Sequence, residues 1–163
     1  DASDAARILV DCRRVDRRLN LAYTGNDLVA TGGRLYLAEG RSDKAFSALL
    51  SACRHYESAQ RNLSLTETLL PLSEAAVATG NIEVLRQATD RFAELLPLVP
   101  GMALPHAASQ VRMYCSAGAF DLARGAVADL EAVGERWGGN QWIGDLASRL
   151  QQRIGTTETS RGR

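Results

Sequence analysis

The sequence GRLYLAEGRSDKAFSA, residues 33–48, places a glycine between two runs of helical spacing. Before Gly40 and again after it, apolar side chains recur every three or four residues, as on one face of a helix. Glycine readily takes the left-handed conformation that closes the last turn of a helix. Ser42 and Asp43 then supply a helix cap and a first-turn carboxylate. The stretch therefore predicts two helices joined by a tight turn.

This pattern repeats along the chain. The glycines Gly40, Gly80 and Gly118 are 40 and 38 residues apart. An acid stands three positions after each glycine and an alanine eight positions after it: Asp43, Glu83 and Asp121, then Ala48, Ala88 and Ala126. Residues 3–6 match residues 42–45, so we expect the chain to begin in the middle of a repeat. A fixed period of this length is typical of stacked helical hairpins.

The spacing predicts an all-α protein whose antiparallel hairpins stack as a right-handed solenoid with a concave groove. We expect helices over 3–20, 27–39, 42–62, 65–79, 82–97, 103–117, 119–136 and 140–154. They would form one domain over 1–154, with a lone helix over 1–20, hairpins over 27–62, 65–97 and 103–136, and a capping helix over 140–154. Residues 155–163 carry no apolar side chain and are predicted to be a disordered tail.

The balanced charge, with 19 basic and 19 acidic residues, excludes a general nucleic-acid or membrane-surface binder. No apolar run is long enough to span a bilayer. Cys12, Cys53 and Cys115 are too widely spaced for a disulfide framework or a zinc site, so we expect free thiols and a cytoplasmic protein. We predict no cofactor.

The first hairpin resembles a tetratricopeptide repeat in its glycine, tyrosine and alanine positions: Gly33, Tyr36, Gly40, Ala45 and Ala52. Pro97 also falls where that family often ends its second helix. The longer period is similar to the helical-repeat region of LuxR-type large ATP-binding transcriptional regulators. Residues 69–71 (LLP), 73–80 (SEAAVATG), 136–138 (RWG) and 143–144 (IG) resemble strings of that region, although 72–73 is Leu-Ser where Trp-Arg is common. The resemblance implies that an ATPase and a DNA-binding domain lie outside this segment.

No set of residues predicts catalysis. The glycines of Thr31-Gly32-Gly33 have no adjacent lysine or preceding strand, so we interpret them as sites of close helix packing rather than a nucleotide loop. The two histidines, His55 and His106, lie far apart in the sequence, and no serine or cysteine has a recognisable base partner. We therefore predict a protein that is not an enzyme.

The concave groove is the candidate binding surface, because the first helix of each hairpin lines it in tetratricopeptide-like arrays. Its predicted residues are Asp27, Arg34, Leu37, Glu67, Glu74, Arg112 and Ser116. Arg34, Glu74 and Arg112 hold equivalent positions with alternating charge. They form either a ladder of ion pairs, worth about 0.5 kcal/mol per exposed pair, or a row of donors and acceptors for a peptide or small effector.

Trp137 and Trp142 flank a glycine pair near the end of the chain. They either pack the last helix on the preceding hairpin or form a docking edge for another domain or subunit. The exposed ends of the array suggest homodimerisation as well.

These observations favour a non-catalytic module that binds a protein or effector within a larger cytoplasmic transcriptional regulator. The alternative is a free-standing adaptor that captures a peptide in its groove. An all-helical enzyme is the third alternative.

Overall fold

A computed structural model describes residues 2–19, 25–136, 138–139 and 141–162. Within these ranges every regular element is helical, which confirms the predicted all-α class. The α-helices are α1 (Ala2–Leu19), α2 (Gly25–Ala38), α3 (Ser42–Ser58), α4 (Asn62–Ala78), α5 (Ile82–Leu95), α6 (Ala103–Ala117), α7 (Phe120–Arg136) and α8 (Gln141–Arg161). A short 3-10 turn, Pro100–Met102, precedes α6. In the part of the chain that the structure describes, none of the helices is both long and apolar enough to cross a bilayer.

The helices divide into two compact units, Asp1–Asn81 and Ile82–Arg163. We predicted one domain over 1–154 and a hairpin over 65–97, and the division falls between the two helices of that hairpin. In the first unit, α1 packs on α2, α2 on α3 and α3 on α4, while α2 also touches α4. In the second unit, α5 packs on α6, α6 on α7 and α7 on α8, and α6 also touches α8.

The turns of the first unit share one backbone geometry at intervals of 20 residues. Gly40, Gln60 and Gly80 have positive φ values of 72°, 54° and 71°. Each donates its N–H to the carbonyl three positions back, at 3.0, 3.1 and 3.2 Å, and the next residue donates to the carbonyl five positions back, at 2.8 Å. These two bonds define the Schellman motif that satisfies the last carbonyls of a helix. Because Gln60 makes this turn, α3 ends at Ser58 and not at the predicted residue 62.

The glycine pair Gly32-Gly33 lies where α2 packs against its neighbouring helices. A Cβ atom on Gly33 would lie 2.6 Å from Cγ of Leu49 on α3, and one on Gly32 would lie 3.3 Å from Cδ2 of Leu9 on α1. The distance of 2.6 Å leaves no room for a side chain at position 33, so glycine there allows α3 to approach. A Cβ at position 32 would require the ends of the Arg13 and Leu9 side chains to shift. The structure therefore supports close packing at Gly33. Leu49 itself is fully buried in the core.

The predicted disordered tail needs correction, because α8 continues to Arg161. Its last turns are tied to other helices of the second unit: Arg161 donates to the carbonyl of Ser116 on α6, and Glu158 accepts from Arg124 Nη1 at 3.0 Å. The hydroxyls of Thr156 and Ser160 also bond within α8, to carbonyls four residues back. Polar contacts therefore order a segment that has no apolar side chain.

Candidate functional site

Five of the predicted groove residues lie in the first unit. Asp27, Arg34 and Leu37 lie on α2, while Glu67 and Glu74 lie on α4. The side chains of Arg34 and Glu67 are exposed, and those of the other three are half-buried. Helices α2 and α4 touch, and we call the surface of these two helices that carries the five residues the α2–α4 face.

A hydrogen bond from Arg34 joins the two helices of this face. Its Nη2 donates to the backbone carbonyl of Glu67 at 3.1 Å. In a regular helix that carbonyl would accept from the N–H four residues later, but the residue there is Pro71, which has no N–H. The guanidinium therefore supplies the donor that the proline removes. Arg34 thus has a structural role that neither the ion-pair ladder nor the ligand row predicted.

A second cluster lies where α2 begins. Asp27 Oδ1 accepts from the Tyr56 hydroxyl at 2.6 Å, and Arg61 Nη2 lies 3.2 Å from the same oxygen. The Arg61 guanidinium also lies 5.0 Å from the centre of the Tyr56 ring, within the range of a cation–π interaction. Burial and the hydrogen bond to Asp27 raise the pKa of the Tyr56 hydroxyl well above its ordinary value. The phenol therefore stays neutral and anchors α3 to α2.

The contact between an arginine and a tyrosine occurs at two turns, and the sequence shows the same spacing at each. Tyr36 and Arg41 stand five residues apart, as do Tyr56 and Arg61, and the Arg41 guanidinium lies 4.6 Å from the Tyr36 ring centre. Each arginine follows the positive-φ residue of its turn and lies over the tyrosine two residues before the end of the helix. The tyrosine and the arginine five residues after it therefore repeat at an interval of 20 residues, which an alignment at 40-residue offsets does not detect.

The other two predicted groove residues, Arg112 and Ser116, lie on α6 in the second unit. Arg112 is only 8% exposed, so it does not present its guanidinium to solvent as a groove residue would. The carbonyl of Ser116 is one of the last in α6 and accepts from Arg161. Both residues therefore contribute to the packing of the second unit.

The two tryptophans cannot be assigned to a docking edge. Trp137 lies outside the described residues, and for Trp142 only the backbone, in α8, is described.

Of the cysteines and histidines in the sequence, Cys53 and Cys115 are buried, His55 and His106 are half-buried, and Cys12 is exposed. Burial raises the pKa of the Cys53 thiol to about 12, so that it remains protonated. Burial lowers the pKa of His106, whose ring lies 6.0 Å from that of Phe92. Across the described ranges, no three histidine, cysteine or acidic side chains come together as metal ligands.

Comparison of the chain with models of known protein families, with curated protein sequences and with solved structures gave no match.

Proposed function

We propose that this chain is a helical-repeat module that binds a protein or peptide through the α2–α4 face, within a larger cytoplasmic transcriptional regulator. The observation that carries the proposal is the hydrogen bond from Arg34 to the Glu67 carbonyl. It links the first helices of two successive hairpins side by side, which is how a tetratricopeptide-like array forms its inner surface.

The packing of the first unit supports the solenoid. In this unit each helix contacts the next, and α2 also contacts α4. The same Schellman hydrogen bonds close α2, α3 and α4. A chain built from one repeated turn and neighbour contacts has the organisation of a repeat protein, in which stability comes from adjacent helices. We propose that the first unit is part of a right-handed solenoid of tetratricopeptide-like hairpins.

The chemistry of the α2–α4 face favours a basic peptide. Glu67 supplies an exposed carboxylate, while the carboxylate of Asp27 is held by Tyr56 and Arg61. Arg34 is bonded to a backbone carbonyl, and Leu37 adds apolar surface. The Glu67 side chain is exposed, and its backbone carbonyl alone holds Arg34. A partner with arginine or lysine side chains beside an apolar residue would complement this surface.

The placement within a regulator rests on the resemblance of residues 69–80 and 136–144 to the repeat region of LuxR-type regulators. The cytoplasmic assignment rests on three free cysteines, two of which are buried. The full reading frame tests this part. An ATP-binding domain upstream or a helix-turn-helix downstream supports the regulator, and a frame that encodes neither supports the free-standing adaptor.

Affinity capture tests the binding face. We expect the wild-type chain and the control Asp43→Lys to recover the same partner from a lysate, and Glu67→Lys to lose it. Asp43 is an exposed acid on α3, so its reversal changes the net charge equally at another surface. Equal recovery by Glu67→Lys and the control would contradict the proposed face.

A further inference from the structure

Helix α4 contains a proline in its interior. Pro71 is the tenth of its 17 residues, and the helix extends in both directions from it. A proline at such a position removes one helical hydrogen bond, and its ring clashes with the carbonyl four residues earlier, which makes it the commonest cause of a sharp bend in a helix. The weakest part of α4 is therefore the turn that joins Glu67 to Pro71, which we call the Pro71 turn (residues 67–71).

Buried hydroxyl groups weaken α4 at the same place. Thr68 lies within the Pro71 turn and Ser73 lies two residues after it, and both are at most 1% exposed. The hydroxyl of Thr68 donates to the carbonyl of Ser64 at 2.7 Å, and that of Ser73 donates to the carbonyl of Leu69 at 2.8 Å. Such bonds to the carbonyl four residues back slightly destabilise a helix and often bend it. Two independent features thus favour bending at the Pro71 turn.

The neighbouring helix α3 has neither feature. It also has 17 residues, it contains no proline, and its buried residues include no serine or threonine. Its buried positions are Ala45, Leu49, Ala52, Cys53 and Tyr56. Helix packing in the first unit therefore does not require a proline or buried serine and threonine hydroxyls.

Arg34 holds the Pro71 turn from outside the helix. Its Nη2 donates to the Glu67 carbonyl at 3.1 Å and supplies the donor that the proline removes. A bend at the Pro71 turn would move this carbonyl relative to α2, so the hydrogen bond favours the straight form of α4. Arg34 is exposed, so a bound partner can reach its guanidinium.

We propose that the Pro71 turn is a hinge in α4 and that the Arg34 guanidinium is the latch that holds it straight. A ligand that binds one of the two forms more tightly shifts the population toward that form. The hinge lies within the α2–α4 face, because Glu67 is its first residue and Glu74 follows Pro71 by three positions. Bending therefore changes the shape of the face. The hinge is independent of the proposed function, whereas its effect on partner binding rests on that function.

Distances between spin labels, measured by double electron–electron resonance on the full chain, test the hinge. A bend of about 20–30° moves a residue seven positions beyond Pro71 by roughly 4–5 Å. The background is Cys12→Ser, whose remaining cysteines are buried. Labels are attached to cysteines introduced at exposed positions, in pairs that join α3 to each end of α4: Arg54→Cys with Ala78→Cys, and Ser47→Cys with Leu63→Cys.

We expect one distance for each pair when Arg34 is present. Arg34→Met should raise the ratio of bent to straight α4 roughly 5-fold, as the loss of one ordinary hydrogen bond does, and add a second distance in at least one pair. Adding Pro71→Ala should remove that second distance, because the restored N–H satisfies the Glu67 carbonyl. Lys44→Met is the matched control, since it removes an exposed positive charge from α3 and should leave both distances unchanged.

Three results would each overturn the hinge: unchanged distances in Arg34→Met, a second distance that persists after Pro71→Ala, or the same second distance in Lys44→Met. Circular dichroism verifies that every variant is folded. Because the chain is measured without a partner, failure of the hinge leaves the proposed function standing. Loss of partner binding by Glu67→Lys, in turn, does not bear on these distances.

Discussion

The bond between Arg34 and the Glu67 carbonyl can be tested because Pro71 creates the need for it. Replacing Arg34 with methionine keeps the aliphatic stem and removes the guanidinium. In the wild-type background this leaves the carbonyl without its donor at 3.1 Å. Hydrogen bonds from charged groups contribute about 1.5–3 kcal/mol, and solvent at the exposed Arg34 reduces this to the value of an ordinary hydrogen bond, about 1 kcal/mol. We expect a loss of about 1 kcal/mol, or roughly 2–4 °C in Tm for a chain of this size.

Pro71→Ala restores an N–H four residues after Glu67, so the helix itself can satisfy the carbonyl. In that background Arg34→Met should cost no more than about 0.3 kcal/mol. The double-mutant cycle should therefore give a coupling of roughly 0.7–1 kcal/mol between two residues that are not charge partners. Urea unfolding, followed by circular dichroism, measures the four free energies.

The matched control for this cycle is Arg54→Met. Arg54 is an exposed arginine on α3, and it should show the same small effect with Pro71 and with alanine at that position. A coupling of Arg34 with Pro71 that is equal to that of Arg54 would refute the idea that the guanidinium replaces the missing N–H.

Three further predictions concern the turns, the half-buried His106 and the thiols. Gln60→Gly should raise the free energy of unfolding by about 1 kcal/mol, because the φ of 54° at this position is strained for a residue with a side chain. Gly40→Ala should lower the free energy of unfolding by about the same amount. A Cβ at position 40 would meet no atom within 4 Å, so only the backbone strain remains. Thermal unfolding measures both, and a destabilised Gln60→Gly would contradict the assignment. Burial lowers the pKa of His106 from 6.5, so below about pH 6.5 the unfolded chain binds the proton first and stability falls as pH decreases. His106→Gln should lose this part of the slope between pH 7 and pH 5, and an unchanged slope would contradict it. Of the three thiols only Cys12 is exposed, so one thiol per chain should react rapidly with a disulfide reagent. No thiol should react rapidly in Cys12→Ser. Rapid reaction in that variant would show that the buried thiols are accessible.

Much of the fold follows from local sequence. Helical spacing and glycines at helix ends are local properties, so the helices and the turns at Gly40, Gly80 and Gly118 were predicted within a few residues. Gln60 was missed because a glutamine does not signal a left-handed residue, although Arg61 after it repeats the role of Arg41. The helical tail was missed because Arg124, Glu158 and Arg161 stabilise it through contacts that are distant in sequence.

The site was less predictable for the same reason. The sequence located Arg34, Glu67 and Glu74 on the first helices of the hairpins, and the structure places these helices together in the first unit. The sequence could not predict that Arg34 donates a hydrogen bond to a backbone carbonyl, because the acceptor within its reach depends on the distance between α2 and α4. Nor could the repeat pattern predict that Arg112 is buried, since burial depends on how neighbouring helices pack.

Photocrosslinking in living cells tests the binding face most directly. A benzophenone amino acid in place of Thr31 is exposed on α2 one helical turn before Arg34 and leaves the Glu67 carboxylate intact, and one in place of Asp43 is exposed on α3. We predict a discrete crosslinked protein from position 31 and none from position 43. The absence of an adduct at position 31, or the same adducts from both positions, would contradict the proposal that this face binds a protein partner.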